Sequence, residues 1–277
     1  MIYHYTSYEA FKSMLPLQSP QKEIVIRGTN AYEMKARLEM QLGYDFVRSF
    51  LYNYETNNNI PENSRLSYNM PDIQHILIDL NNQDKYFQPK EQTPFVISFT
   101  GKRNDPKMWE EYGKHHCGVC LAFDEKELQK EALKNEDTFI LNVIYNVINE
   151  RTTRHFKAFV EYIIETITPF HNIAQYYVHE SYREKVRKDI LQNLCPLVAA
   201  FIKSENYIWE DEIRWISIKD ASNSCVHTQK EEDYSKSYIK IPFPITCLKQ
   251  VYLGRDCPIT QKELTLFHRN YGIPTSI

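Results

Sequence analysis

The chain has 277 residues, a formal net charge of -3 and a pI near 6.3, so its overall charge creates no general attraction to nucleic acid or anionic lipid. This length is enough to bury a large core, and 7 glycines against 20 tyrosines and 14 phenylalanines exclude a disordered or linker-like chain. We expect a single domain over residues 1–277.

The first residues lack the basic start and apolar run of a signal peptide, and no apolar stretch has the length needed to span a bilayer. We therefore expect a cytoplasmic protein with no membrane partner. The 6 cysteines are scattered along the chain, unlike the dense framework of small secreted domains, and we expect them to be reduced.

Cap-like spacing begins two helices in the N-terminal part. Thr6 with Glu9 predicts a short helix to about residue 14, and Asn30 with Glu33 predicts a long helix to about residue 55. Other elements predicted here, in chain order, are a strand at 22–27, a loop at 56–70, a helix at 71–80 and a strand at 95–100.

Strand signals dominate the rest of the chain, interrupted by a mostly helical block at about 152–204 that we interpret as an insertion. Asp105 before Pro106 predicts a short helix at 107–112, and Asp124 with Glu127 predicts another helix start. Further predictions are strands at 118–123, 139–145, 212–218, 238–242 and 248–253 and a closing helix at 260–271. The fold class is therefore α+β, with a central mixed or antiparallel sheet, flanking helices and a helical insertion.

Residues 207–215 carry the strongest functional signal. If this segment is a strand, alternation places Glu210, Glu212 and Arg214 on one face and the large apolar side chains on the other. Two carboxylates and a guanidinium then converge, which favours a site over a core. The structural alternative is a solvated strand face whose ion pair contributes little.

The Cys117-x-x-Cys120 motif, with two histidines directly before it, is a second candidate. Zinc prefers thiolate and imidazole, and Cys225 with His227 are candidates for the missing ligands. A buried strand in which cysteine is merely a small apolar residue explains the same pattern. Our predicted site contains no metal.

Several separated motifs recur in order along the chain: residues 3–7, 97–100, 108–112, 118–124, 203–204, 207–214 and 251–254. Together they resemble the bacterial family called domain of unknown function 2971. The resemblance spans nearly the full chain, and its most specific part is the aromatic-x-x-Glu-x-Glu-x-Arg run. The family name implies no activity.

A second resemblance is to ADP-ribosyltransferases, which commonly carry a His or Arg on an early strand, a Ser-Thr-Ser strand and a late Glu-x-Glu. The matching positions are His4, the segment 98–100, and Glu210 with Glu212. This resemblance implies an enzyme that transfers ADP-ribose from NAD, or cleaves NAD, with an unknown protein or nucleic-acid acceptor. NAD would be a substrate.

Breaking the bond between nicotinamide and ribose develops positive charge on the sugar, which a fixed carboxylate stabilises. The resemblance assigns this catalytic role to Glu212, while Glu210 would orient or deprotonate the acceptor. Lys203 is a candidate to neutralise the paired glutamates.

The remaining candidates would bind the dinucleotide. His4 would hydrogen-bond a ribose or amide, Tyr5 would stack on nicotinamide, and Ser98 and Thr100 would support the pocket wall and Glu212. Arg214 would bind a phosphate or clamp a glutamate.

Other enzyme classes have little support, because glycine-rich phosphate loops, nucleophile elbows and His-Glu-x-x-His helices are absent from the sequence. A carboxylate nuclease is a weaker alternative. The alternative from another class is a noncatalytic sensor module of a bacterial stress or phage-defence system, which recognises a nucleotide or a protein.

Overall fold

The computed structural model describes residues 1–34, 38–62, 65, 67, 93–145, 195–220, 222–230 and 235–277. Its strands are β1 (Ile2–Thr6), β2 (Glu23–Asn30), β3 (Thr93–Thr100), β4 (Val119–Phe123), β5 (Thr138–Asn142), β6 (Ile144–Tyr145), β7 (Ile202–Lys203), β8 (Glu212–Lys219), β9 (Val226–Lys230), β10 (Ser235–Pro244), β11 (Leu248–Leu253) and β12 (Thr275–Ser276). Its α-helices are α1 (Tyr8–Met14), α2 (Leu38–Asn57), α3 (Pro106–Glu111), α4 (Glu125–Ala132), α5 (Cys195–Ala199) and α6 (Gln261–Tyr271). Short 3-10 helices cover Ala31–Glu33, Glu205–Glu210 and Ile245–Cys247.

Most of the described strands join one sheet in the order β12-β11-β4-β1-β3-β2-β10-β9, with β8 pairing the remaining edge of β3 and β5 pairing β8. Only the β11–β12 pair in this sheet is parallel among the described pairs, so the sheet is mixed. Strands β6 and β7 form a separate parallel pair. The predicted α+β class with a central mixed sheet is confirmed.

Apolar side chains cover both faces of the sheet, as expected when helices flank it on each side. On one face, helices α1, α4 and α6 contribute Phe11, Leu128 and Phe267 to a cluster with phenylalanines of β3, β4 and β10. On the other face, α2 and α5 pack over β3 and β8. This second layer brings α2 to the strand that carries Glu212.

The sheet has an opening beside β3. Strand β3 pairs with β8 along its whole length, but its other edge pairs with β2 only at Phe95 and Val96 and with β1 only at Thr100. Residues 97–99 therefore face a gap between β1 and β2. Because an unpaired strand edge presents backbone donors and acceptors, this gap is a natural place for a site.

Two helix starts differ from the sequence prediction. Ser7, rather than Thr6, caps α1 by accepting a hydrogen bond from the Ala10 amide, because Thr6 still belongs to β1. Asn30 caps only the short 3-10 helix, so the long helix begins at Leu38. The predicted cap at Asp105 and the capping box at 260–263 are present.

The predicted strand at 212–218 is present, but the segment before Glu212 is not a strand, so the condition that would place Glu210 on the same strand face as Glu212 is not met. Ser204 accepts a hydrogen bond from the Asn206 amide and begins a 3-10 helix. Asp211 then adopts a left-handed conformation (φ 47°), which extended strands do not allow. Glu210 and Glu212 consequently lie on different elements.

The predicted helix at 71–80 and most of the predicted helical block lie outside the described residues. The described end of that block contains α5 and then β7, so the prediction that it stays helical to residue 204 is wrong at 202–203. Within the described ranges, no helix is long and apolar enough to cross a membrane.

Candidate functional site

One pocket of about 340 Å³ opens at the gap between β1 and β2. It is lined by six of the seven predicted site residues, namely His4, Tyr5, Ser98, Thr100, Glu210 and Glu212. It is also lined by Glu39, Tyr112 and Lys203. Segments far apart in the sequence therefore meet at one cleft.

Glu212 is buried, with 4% of its surface exposed, and is held by Arg214, Lys203 and Ser98. Arg214 donates from Nε to Oε1 (2.8 Å) and from Nη2 to Oε2 (3.1 Å), and Lys203 Nζ donates to Oε2 (2.9 Å). Burial acts to raise the pKa of Glu212, but the two cations outweigh it and lower the pKa to about 2. The side chain of Ser98 forms a further hydrogen bond that also lowers this pKa, which matches the supporting role predicted for Ser98.

Arg214 does not line the pocket, and its own exposure is 2%. Besides Glu212, it donates to the Ala200 carbonyl (2.6 Å) and to Oε2 of Glu39 on α2 (2.6 Å). Burial opposes its charge, but the Glu212 and Glu39 carboxylates raise its pKa further above its ordinary value. Arg214 is therefore a clamp between α2, α5 and β8.

Lys203 joins the three carboxylates of the site. Its Nζ lies 2.5 Å from Oε2 of Glu210, 2.9 Å from Glu212 and 3.5 Å from Oε1 of Glu39. Burial disfavours its charge, but these carboxylates outweigh that cost and raise its pKa. The expected neutralising role of Lys203 matches this geometry.

Glu210 reaches the same place from the 3-10 helix. Its carbonyl accepts a hydrogen bond from Thr100 Oγ1 (2.5 Å), and its Oε1 accepts from the Tyr112 hydroxyl (2.6 Å). Burial raises the pKa of Glu210 by more than Lys203 and Tyr112 lower it. Of the two predicted catalytic glutamates, Glu210 is thus the one with the higher proton affinity.

His4 occupies the gap in the sheet, with Nδ1 2.9 Å from the Ser98 carbonyl. A carbonyl oxygen only accepts, so Nδ1 carries the proton in this pair. Burial lowers the pKa of His4 more than the Ser98 bond raises it. The neutral ring then leaves Nε2 as a hydrogen-bond acceptor.

Tyr5 forms part of the pocket wall and is 7% exposed. Its ring packs edge-on against Trp109 with centroids 5.0 Å apart, and its hydroxyl donates to the Lys102 carbonyl (3.2 Å). On the other side of the pocket, the Tyr112 ring stacks with Trp209 and is 42% exposed. Tyr112 is therefore the more accessible of these two aromatic surfaces.

The cysteine motif does not combine with its proposed partners. Cys120 is fully buried in β4 opposite Tyr5, whereas Cys117 is exposed in the preceding loop. His227 lies on β9, five strand positions from β4 and hence about 24 Å away across the sheet. In the described parts of the chain, no three His, Cys, Asp or Glu residues are arranged to hold a metal ion.

Comparison with known proteins gives one match. Residues 108–215 match the model of a family described as "Protein of unknown function (DUF2971)". No curated protein and no solved structure matches the chain. The matched segment contains the end of α3, Lys203, Glu210, Glu212 and Arg214, so the resemblance to the DUF2971 family that the sequence motifs indicated is confirmed over these residues.

Proposed function

We propose that the protein breaks the bond between nicotinamide and ribose in NAD, either to transfer ADP-ribose to an acceptor or to hydrolyse NAD. The supporting observation is that His4, Glu210 and Glu212 line one pocket, with Glu212 buried and fixed. The confirmed family resemblance carries no activity, so this proposal depends on the geometry of the pocket and on chemistry.

The charge of the site suits a cationic ligand whose positive charge passes from the nicotinamide ring to the ribose during the reaction. Glu39, Glu210 and Glu212 outnumber Lys203 and Arg214 by one, which leaves a formal charge of -1 when all five groups are ionised. A carboxylate held away from water interacts more strongly with a developing positive charge than one in bulk solvent. NAD carries its positive charge on the nicotinamide ring.

In the proposed reaction, the electron pair of the C–N bond leaves with nicotinamide, and positive charge develops on the ribose. Glu212 stabilises this charge and accepts a ribose hydroxyl. A water or an acceptor hydroxyl or amine forms the new bond to the ribose carbon, and Glu210 removes its proton. His4 orients the ribose or the carboxamide through Nε2.

A second candidate function is a noncatalytic module that binds a nucleotide. The observation that favours it is the extent of pairing within the site, because Glu212 already accepts three hydrogen bonds and Lys203 contacts all three carboxylates. Networks of this kind also serve as structural devices. Such a module would bind NAD without releasing nicotinamide.

The test is nicotinamide release from NAD by the purified protein, with water, proteins and nucleic acids as acceptors. We expect Glu210→Gln and Glu212→Gln to lower the rate at least about 100-fold. Glu125→Gln, which changes a partly exposed acid on α4 that does not line the pocket, should leave it unchanged. Glu210→Gln is the safer variant, because it leaves the Glu212–Arg214 pair intact. NAD that binds but stays uncleaved under all conditions would favour the binding module, and full activity in both variants would exclude the proposed chemistry.

A further inference from the structure

The pocket has a cationic side that the proposed roles do not use. Arg27 and Thr29 on β2 and Lys236 on β10 line it together with the carboxylates. Positions 27 and 29 of a strand share one face, so both β2 side chains point to the same side of the sheet. This cationic side is formed by strands that take no part in the glutamate network.

The two charged sides approach the pocket from opposite edges of β3. Glu212 lies on β8, which pairs with one edge of β3, and Arg27 lies on β2, which pairs with the other. A ligand in the gap therefore has carboxylates on one side and a guanidinium on the other. A molecule with a cationic group and an anionic group separated by a sugar fits this polarity.

The two arginines near the pocket differ in whether their charge is compensated. Arg214 is buried between two carboxylates and has no access to the pocket. Arg27 is exposed, and its partners among the described residues are uncharged: it donates to Gln229 Oε1 (2.5 Å) and its Cζ lies 4.5 Å from the ring centroid of Tyr238. These two contacts orient the guanidinium without neutralising it.

We infer that Arg27, with Thr29 and Lys236, forms a phosphate subsite that holds the diphosphate of the nucleotide in this pocket. A guanidinium offers two parallel N–H donors to a phosphate, a hydroxyl adds a further donor, and an ammonium adds a point charge. The inference rests on the proposed nucleotide pocket but not on catalysis. It assigns to Arg27 the phosphate contact that the sequence motif suggested for Arg214.

This subsite can be tested by calorimetric titration of the full chain with three compounds: NAD, nicotinamide riboside and inorganic pyrophosphate. Nicotinamide riboside has the same cationic ring and ribose but no phosphate. We expect Arg27→Gln to weaken the binding of NAD and of pyrophosphate at least tenfold. The affinity for nicotinamide riboside should stay within twofold of that of the wild type. Raising the salt concentration should weaken NAD binding to the wild type more than to the variant.

Lys240→Gln is the matched control, because Lys240 pairs with Arg27 across β2 and β10, is exposed and does not line the pocket. Equal losses in Arg27→Gln and Lys240→Gln, or unchanged NAD affinity in Arg27→Gln, would overturn the subsite. Binding that depends on Arg27 without nicotinamide release would support the subsite and reject the proposed enzyme. Cleavage of NAD with the same KM in Arg27→Gln and wild type would support the proposed enzyme and reject the subsite. If none of the three compounds binds, both the subsite and the proposed enzyme are rejected.

Discussion

The hydroxyl of Tyr112 lies 2.6 Å from Oε1 of Glu210, and it joins the exposed aromatic surface of α3 to the buried carboxylates. Burial and the nearby Glu210 raise the pKa of Tyr112, so the phenol stays protonated and donates this hydrogen bond. The bond opposes the rise that burial causes in the pKa of Glu210. Together with Lys203, Tyr112 therefore lowers the pKa of Glu210 and helps to keep it able to accept a proton.

Tyr112→Phe should move the acidic limb of the pH profile of kcat/KM to higher pH. Without the donor, the carboxylate form of Glu210 loses stabilisation and its pKa rises further. Nicotinamide release measured from pH 4 to 9 follows this shift. Tyr271→Phe is the control, because the Tyr271 hydroxyl donates to the Pro16 carbonyl and neither residue lines the pocket. The pH profile of this variant should match that of the wild type. A profile that only drops in height, with no shift, would contradict a role through Glu210.

Lys203→Met should destabilise the folded protein by about 3–5 kcal/mol at pH 7, because it leaves buried carboxylates without their shared cation. The loss should be smaller at pH 5 than at pH 7, because burial raises the pKa of Glu210 and protonation of this group relieves the repulsion. Denaturant unfolding at both pH values measures the difference, and the double variant Lys203→Met/Glu210→Gln should recover part of it. Lys130→Met, which removes only an exposed pair with Glu127, should leave the unfolding free energy nearly unchanged.

The stability of the protein should depend on Glu212 between pH 4.5 and 2. The pKa of this carboxyl falls from 4.5 to about 2 on folding, so its contribution is complete above pH 4.5 and is lost as the pH falls through the folded value. The contribution is about 3 kcal/mol. The difference in unfolding free energy between wild type and Glu212→Gln should be constant from pH 7 to 5 and should narrow below pH 4.5. A difference that stays constant down to pH 3 would show that Glu212 is not held by cations.

Gly43→Ala should destabilise the protein, although alanine is ordinarily the better helix residue by up to about 1 kcal/mol. A Cβ at Gly43 would lie 2.4 Å from the Ala199 carbonyl oxygen, so α2 and α5 would have to separate. Because Glu39 on α2 bonds Arg214, the shift should also weaken NAD binding. Thermal unfolding and calorimetry measure the two effects. The control is Ser49→Ala on the exposed side of α2, which should change neither the thermal stability nor the NAD affinity. If Gly43→Ala instead stabilises the protein, the close packing of α2 against α5 is refuted.

Local sequence signals predicted much of the fold. Proline and cap residues located α3, cap residues located the start of α4, and apolar runs located β3, β4, β8 and β11. The 3-10 helix at 205–210 could not be predicted from alternation, since its residues alternate as a strand does until Asp211 turns left-handed. Strand β9 could not be predicted because its apolar and polar residues do not alternate clearly. It lies at the edge of the sheet, and residues 227–229 are all exposed.

The site itself was only partly predictable. The common face of Glu212 and Arg214 follows from the two-residue period of a strand, and the structure has it. Glu39 was missed because its approach to Arg214 depends on how α2 packs, 175 positions away in the chain. Its one local signal is an acidic residue beside the buried positions Met40 and Tyr44.

The network of Glu39, Lys203 and Arg214 joins a helix to a short strand and a long strand, and the helix is remote from both strands in the sequence. Each of these side chains is hydrated and independent in an unfolded or half-assembled chain, since no local element contains all three. Binding competence should therefore appear only in the last step of folding, and a nucleotide that recognises this pocket would select fully assembled molecules from a mixed population.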